Sequence, residues 1–157
     1  MTEKESQQEV LKHNSVGAWA KRLYFASRGV MDTVLRPYGL GSTQWYVLYQ
    51  LANVGPTMQR DLVNMLNIER ATLSGVVATL VRKGLVAQAP DSEDQRQRML
   101  HITRAGSRLW KALPNPIEQI LKVAFDDADP AELEITRRVL QGATKRLNEH
   151  DWEGEQV

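Results

Sequence analysis

Between Glu69 and Ile102 the hydrophobic period of the chain changes once, and that change restricts the fold more than any other feature. From Glu69 to Lys83 the apolar residues Leu73, Val76, Val77, Leu80 and Val81 recur at helical spacing and form one stripe. Gly84 follows, a residue suited to the left-handed turn that ends helices, and Arg82 and Lys83 stand at the negative end of the helix dipole. The next apolar runs, Leu85-Val86-Ala87 and Met99-Leu100-His101-Ile102, are too short for helices. They flank a polar loop from Asp91 to Arg98, which predicts a β-hairpin.

Upstream of that stripe a shorter helix is expected over Met58 to Leu66, capped by the Thr57 hydroxyl and joined to the next helix through Asn67-Ile68. Two short helices on a tight link, followed at once by a hairpin, make a winged helix-turn-helix. A helix of this kind fits the major groove of DNA, where base edges are distinguishable. The hairpin loop can then reach the neighbouring minor groove or the backbone.

Longer helices are predicted on both sides. Val16, Trp19, Ala20, Leu23, Ala26, Val30, Met31 and Val34 mark one amphipathic helix from Ser15 to Leu35, ended by Pro37 and Gly39. Gln44 to Asn53 is another, broken by Gly55-Pro56. Beyond the hairpin, a helix from Arg104 to Asp126 should kink at Pro114 and Pro116. Asp129-Pro130-Ala131-Glu132 has the cap, proline and acid that open a last helix, ending near Asn148. The expected fold is mainly α with a small β-hairpin wing. Residues 1–40 would form an N-terminal dimerisation helix, 41–104 the winged helix-turn-helix, and 105–157 the C-terminal dimerisation helices.

The net charge of +1 does not announce a nucleic-acid binder, but its distribution is uneven. From Gln95 to Lys111 the cations Arg96, Arg98, Arg104, Arg108 and Lys111 occur without a single acid. From Glu118 onward acids outnumber bases, so one region suits an anionic partner and the other does not. The absence of cysteine excludes disulfides and thiolate metal sites within the chain. His13, His101 and His150 lie far apart in sequence, so no metal and no cofactor is expected. The polar N-terminus lacks the apolar stretch of a signal peptide and no run is long enough to cross a membrane, so a cytoplasmic protein is expected. With no Gly-rich phosphate loop and no nucleophile elbow, an enzyme is not expected.

Several motifs, in order, resemble the MarR family of bacterial regulators. They are Thr43-Gln44-Trp45-Tyr46-Val47-Leu48, the stretch Leu62 to Ile68, Leu80-Val81-Arg82-Lys83-Gly84-Leu85-Val86, Asp94-Gln95-Arg96, and Ile102-Thr103-Arg104-Ala105-Gly106. The resemblance runs from about Trp19 to Leu147. It implies that Arg96 is the wing arginine that enters the minor groove, with Asp94 holding its guanidinium and Arg98 beside it. Arg70, Thr72 and Ser74 would approach base edges in the major groove, and Thr57 and Gln59 would touch phosphates. Many members carry an arginine where this chain has Gly75, which moves the expected base contact to Arg70. Glu69 stands in place of a small cap residue and is expected to turn toward the N–H groups of its own helix. Gln95 replaces a frequent second basic residue of the wing.

The resemblance further implies a homodimer on a pseudo-palindromic operator of double-stranded DNA, acting as a repressor and released by a small phenolic or aromatic carboxylate ligand. Trp19, Arg22, Tyr38 and Trp45 are the candidates for that ligand: aromatic walls and one guanidinium able to pair with a carboxylate. The competing reading is a winged-helix module that binds protein instead of DNA, compatible with the acidic C-terminal region.

Overall fold

A computed structural model describes residues 13–94 and 96–151. The described residues divide into two compact units, the first ending at Ile120 and the second beginning at Leu121.

The first unit opens with helix α1 (Val16–Leu35), whose N-cap Ser15 accepts from the Ala18 N–H at 3.1 Å. A 3-10 turn over Arg36–Tyr38 follows and ends at Gly39, whose φ of 68° lies in the left-handed region. Helix α2 (Ser42–Asn53) is positioned by α1: the Asp32 carboxylate accepts from the Ser42 N–H at 3.0 Å, satisfying an end donor that has no partner within its own helix. Strand β1 (Thr57–Met58) leads directly into helix α3 (Gln59–Leu66). Helix α4 (Arg70–Arg82), strands β2 (Val86–Pro90) and β3 (Arg98–Ile102), and helix α5 (Arg104–Ala112) complete the winged helix-turn-helix and its exit.

Two details correct the sequence reading here. The hairpin is part of a three-stranded antiparallel sheet in the order β1-β3-β2, with Thr57 opposite Leu100 and Met58 opposite Met99. Thr57 therefore does not cap α3; Met58 stands at the cap position and no side chain caps the helix. A two-residue strand has no detectable period, which is why the sequence concealed it. Pro114 and Pro116 also do more than kink a helix. Leu113 turns to extended backbone (ψ 140°), α5 stops, and Pro116 begins a separate helix α6 (Pro116–Phe125), where proline lacks only a donor that would be unpaired anyway.

The core of this unit is continuous from α1 to β3. Met31, Leu35, Leu40, Trp45, Val47, Leu48, Leu51, Leu62, Leu73, Val77, Leu80, Val86 and Leu100 are buried in one cluster, and Leu109, Trp110, Leu113, Ile117 and Ile120 pack partly buried against it. The stripe read from the sequence of α4 supplies Leu73, Val77 and Leu80, which leaves the opposite face of that helix to solvent.

The second unit holds the end of α6 and helix α7 (Pro130–Glu149). The Asp129 side chain accepts from the Ala131 N–H at 2.7 Å, so the expected cap is present. Ile135, Val139 and Leu147 are exposed on this helix, as are Leu121 and Val123 at the end of α6. Among the described residues no helix is long and apolar enough to cross a membrane.

Candidate nucleic-acid interface

The turn between α3 and α4 sets the angle at which α4 is presented. Asn67 adopts φ 50° and ψ 49°, the left-handed conformation that asparagine tolerates better than most residues. Its N–H donates to the Asn64 carbonyl, and the Ile68 N–H returns to the Val63 carbonyl at 3.3 Å. At the other end of α4, Gly84 has φ 71°. The Gly84 N–H donates to Val81 and the Leu85 N–H to Leu80, the paired bonds of a Schellman stop.

The strand that follows is locked to α5 by Thr103. Its hydroxyl donates to the Gly84 carbonyl at 2.6 Å and accepts from the Gly106 N–H at 3.0 Å, while its backbone N–H donates to the Leu85 carbonyl at 3.1 Å. Gly106 sits so close to this joint that a Cβ there would lie 2.1 Å from the Leu85 carbonyl oxygen. The Thr103 and Gly106 of the sequence motif thus have a steric and hydrogen-bonding reason.

On the solvent face of α4, Arg70, Ala71, Thr72, Ser74 and Gly75 are exposed. Glu69 occupies the cap position, but its side chain makes no capping hydrogen bond, which overturns the expectation that it turns toward the helix N–H groups. Its backbone, at ψ 147°, makes the turn without it.

The wing tip is organised by Asp91, a residue that the sequence reading passed over. Its carboxylate accepts from the N–H groups of Glu93 at 3.2 Å and Asp94 at 3.1 Å, and its own N–H donates to the Gln97 carbonyl at 3.0 Å. An aspartate opening a polar loop after Pro90 is an Asx-turn signal that could have found it. Asp94 accepts from the backbone N–H of Arg96 at 3.0 Å, so the contact seen orders the main chain and not the guanidinium. Arg96 is exposed at the tip, and Arg98 is exposed at the first position of β3, opposite Pro90. Among the described residues, Arg70, Arg96 and Arg98 make no ion pair; the pairs found are Arg60–Asp61, Arg137–Glu134 and Lys145–Glu149.

Thr57 and Gln59 separate in role. Thr57 is buried, its hydroxyl donating to the Gly55 carbonyl at 2.9 Å and lying 3.4 Å from Gln50 Nε2. Gln59 is the first residue of α3 and links three elements: its Nε2 donates to Ser74 Oγ on α4 at 3.3 Å, and its Oε1 accepts from Gln88 Nε2 on β2 at 2.7 Å.

Comparison with known proteins agrees with this geometry. The model of the MarR family matches residues 38–97, from the end of the 3-10 turn to the wing tip. The HTH-type transcriptional regulator YwoH of Bacillus subtilis is 33% identical over 98 residues, which are 60% of this chain and 71% of that one. The chain belongs to the MarR family. Among MarR-family structures, BpsR of Bordetella bronchiseptica, in a study of its regulation by 6-hydroxynicotinic acid, superposes with a TM-score of 0.71 at 24% identity, covering 88% of this chain and 96% of that one. A variant of MarR from E. coli in complex with operator DNA gives a TM-score of 0.75 at 16% identity, covering 85% and 96%. The named relatives of this MarR-family chain are transcriptional regulators, not enzymes.

The four ligand candidates do not gather in one place. Arg22 lies over the Trp19 ring, 4.8 Å from its centroid, with its Nη1 donating to the His13 carbonyl, and the Trp19 Nε1 donates to Asn14. Trp45 is instead buried in a cluster with Tyr46, Tyr49 and Trp110, at centroid distances of 5.2, 5.3 and 5.4 Å. Its Nε1 has no hydrogen-bond partner among the described residues. Tyr38 is exposed in the 3-10 turn. A second set went unnoticed in the sequence: Arg28 donates to the Tyr24 hydroxyl at 3.3 Å, and both act on Tyr46. Burial foremost, then Tyr24, raises the Tyr46 phenol above its ordinary pKa, and Arg28 opposes them. Among the described residues no group of three or more His, Asp or Glu is placed to hold a metal ion.

Proposed function

We propose that this MarR-family regulator binds double-stranded DNA as a two-fold homodimer and represses transcription until a small aromatic carboxylate releases it. One observation carries the reading: the exposed face of α4 with Arg70, Thr72 and Ser74, and the wing with Arg96 and Arg98, bear cations that no acid among the described residues neutralises. Phosphate neutralisation is the sequence-independent part of DNA affinity, and helix and wing side chains add base readout. In the structure of E. coli MarR the partner is operator DNA, and this chain shares that fold. The exposed apolar residues of α1 and α7, among them Leu23, Phe25, Ile135, Val139 and Leu147, are the surfaces a second copy would cover. Two recognition helices related by two-fold symmetry read half-sites roughly 34–36 Å apart.

The effector reading is supported by BpsR, whose regulation involves 6-hydroxynicotinic acid, and by the two guanidinium groups of α1 that lie against aromatic rings, Arg22 on Trp19 and Arg28 on Tyr24. Either can form a paired contact with a carboxylate beside an apolar ring. Trp45, being buried, would act through the packing of α2 and not as an open pocket wall. The carboxylate would have to prefer the released form by a few kcal/mol to empty most of the operator.

Fluorescence anisotropy with duplexes from the promoter region tests the DNA reading. Affinity should fall by roughly 10³-fold or more between 50 and 200 mM salt. Arg96→Ala should weaken binding about tenfold or more and flatten that salt slope. A protein whose binding ignores both salt and Arg96 would not be using the wing. For the effector, aromatic acids are titrated against the bound complex with Arg22→Ala and Arg28→Ala, and the variant that no longer responds identifies the anchoring guanidinium. If both variants respond like the unmodified protein, neither group binds the acid.

A further inference from the structure

The hydrogen-bond chain Gln88–Gln59–Ser74 crosses from the wing strand β2 through the start of α3 to the exposed face of α4, and it has a direction. The Gln88 side-chain amide donates to Gln59 Oε1 at 2.7 Å, and the Gln59 amide donates onward to Ser74 Oγ at 3.3 Å. Ser74 is thereby the acceptor at the end of the chain. A serine hydroxyl has one proton and two lone pairs. Among the described residues the Ser74 proton is given to no acceptor, whereas Thr33, Thr79 and Thr144 spend theirs on the carbonyl one helical turn back.

From this we propose that Gln88 is a specificity-determining positioning residue, which through Gln59 fixes Ser74 as a hydrogen-bond donor toward DNA. The inference rests on the DNA-binding reading above. A donor at this position suits base edges that offer acceptors in the major groove: N7 of a purine, O6 of guanine or O4 of thymine. The exocyclic amine of cytosine suits it less well, because that donor could use only the one lone pair the Gln59 bond leaves and the Ser74 proton would stay without an acceptor.

In the direction observed, the Gln88 amide supplies the donor that Gln59 Oε1 accepts, which leaves the Gln59 NH₂ for Ser74. Gln88→Glu removes that donor: a carboxylate only accepts. The Gln59 amide must then turn over so that its NH₂ faces residue 88 and its Oε1 faces Ser74. Ser74 would give its proton to Gln59 and present lone pairs outward. A single substitution on the wing, which itself need not touch a base, therefore inverts the polarity that α4 shows to the groove. No covalent change and no refolding is involved, since Gln88 and Ser74 are exposed and Gln59 is only half-buried.

The experiment uses the full chain and a duplex library derived from its promoter region, randomised one base pair at a time within each half-site. The unmodified protein, Ser74→Ala, Gln88→Glu and the double variant are compared by their relative affinities across the library. The new carboxylate repels phosphate in every duplex alike, so the ratio between duplexes isolates the specificity effect. Expected is one position per half-site at which the unmodified protein favours an acceptor-bearing base by roughly three- to tenfold, the worth of one hydrogen bond. Ser74→Ala flattens that preference, and Gln88→Glu reverses it toward cytosine. In the Ser74→Ala background Gln88→Glu changes nothing further. A Gln88→Glu profile identical to the unmodified one, or a change that persists without the Ser74 hydroxyl, overturns the proposal while leaving DNA binding intact. Failure of the unmodified protein to prefer any promoter duplex overturns the DNA-binding reading, and the inference with it.

Discussion

Replacing Gly106 by alanine should destabilise the protein, although by local helix preference alone it should stabilise it. Gly106 lies in the first turn of α5, where alanine exceeds glycine by about 1 kcal/mol in intrinsic preference. Against this, the new Cβ would lie 2.1 Å from the Leu85 carbonyl oxygen and 2.8 Å from Ile102 Cγ1. The first neighbour is backbone and cannot swing aside, so α5 must back away from the strand by more than an ångström. Overpacking of this kind costs about 1–3 kcal/mol. The retreat also breaks the bond from Thr103 N–H to that same carbonyl and strains the Thr103 cap, each worth about 1 kcal/mol. The net expectation is a loss of about 3 kcal/mol. For a chain of this length that lowers the melting temperature by roughly 6–12 °C. Gly75→Ala is the control, because nothing lies within 4 Å of its Cβ position, and it should gain about 0.5–1 kcal/mol. Thermal unfolding followed by circular dichroism, at one protein concentration for all variants, reads both. If Gly106→Ala melted at or above the unmodified protein, the joint between Leu85, Thr103 and Gly106 would not be the constraint described.

Asn67→Ala should cost about 1 kcal/mol in chemical denaturation, since alanine pays for the left-handed turn without the local compensation asparagine has, while Asn67→Gly should be near neutral. The Tyr46 phenol should ionise above the ordinary phenol range in an alkaline absorbance titration, and Tyr46→Phe should remove that late step. Because its folded pKa lies above the unfolded one, the corresponding stability is intact below the ordinary phenol range and is lost as pH rises through the folded value; unfolding free energy measured above neutral pH should fall in that window, and less steeply in Tyr46→Phe.

Much of the architecture could be read from period and punctuation. The stripe of α4 with Gly84 behind it, the Asp129-Pro130 opening of α7 and the polar loop of the wing each follow from local physics, and each is found where expected. What escaped was non-local or too short. β1 exists because Thr57 and Met58 meet Leu100 and Met99, more than forty residues away, and no local rule announces such a pairing. The break at Leu113 depended on two prolines spaced so that a fresh helix could start at the second, which the sequence leaves indistinct from a kink. At the interface, residue types were legible and their duties were not. Arg70, Arg96 and Arg98 are exposed as anticipated, but Thr57 spends its hydroxyl indoors and Gln59 serves as a relay. Residue type indicated which side chains could bond, whereas their partners were decided by the sheet and the helix crossing.

The pairing of β1 with β3 ties the start of α3, and through the Asn67 turn helix α4, to the wing hairpin. In the proposed DNA complex, a target whose groove spacing does not match these joined parts would have to adapt by narrowing, twisting or bending, at an energetic cost that depends on the stiffness of its own base steps. Discrimination would then extend to nucleotides lying between the contacted ones, chosen for their compliance and never touched.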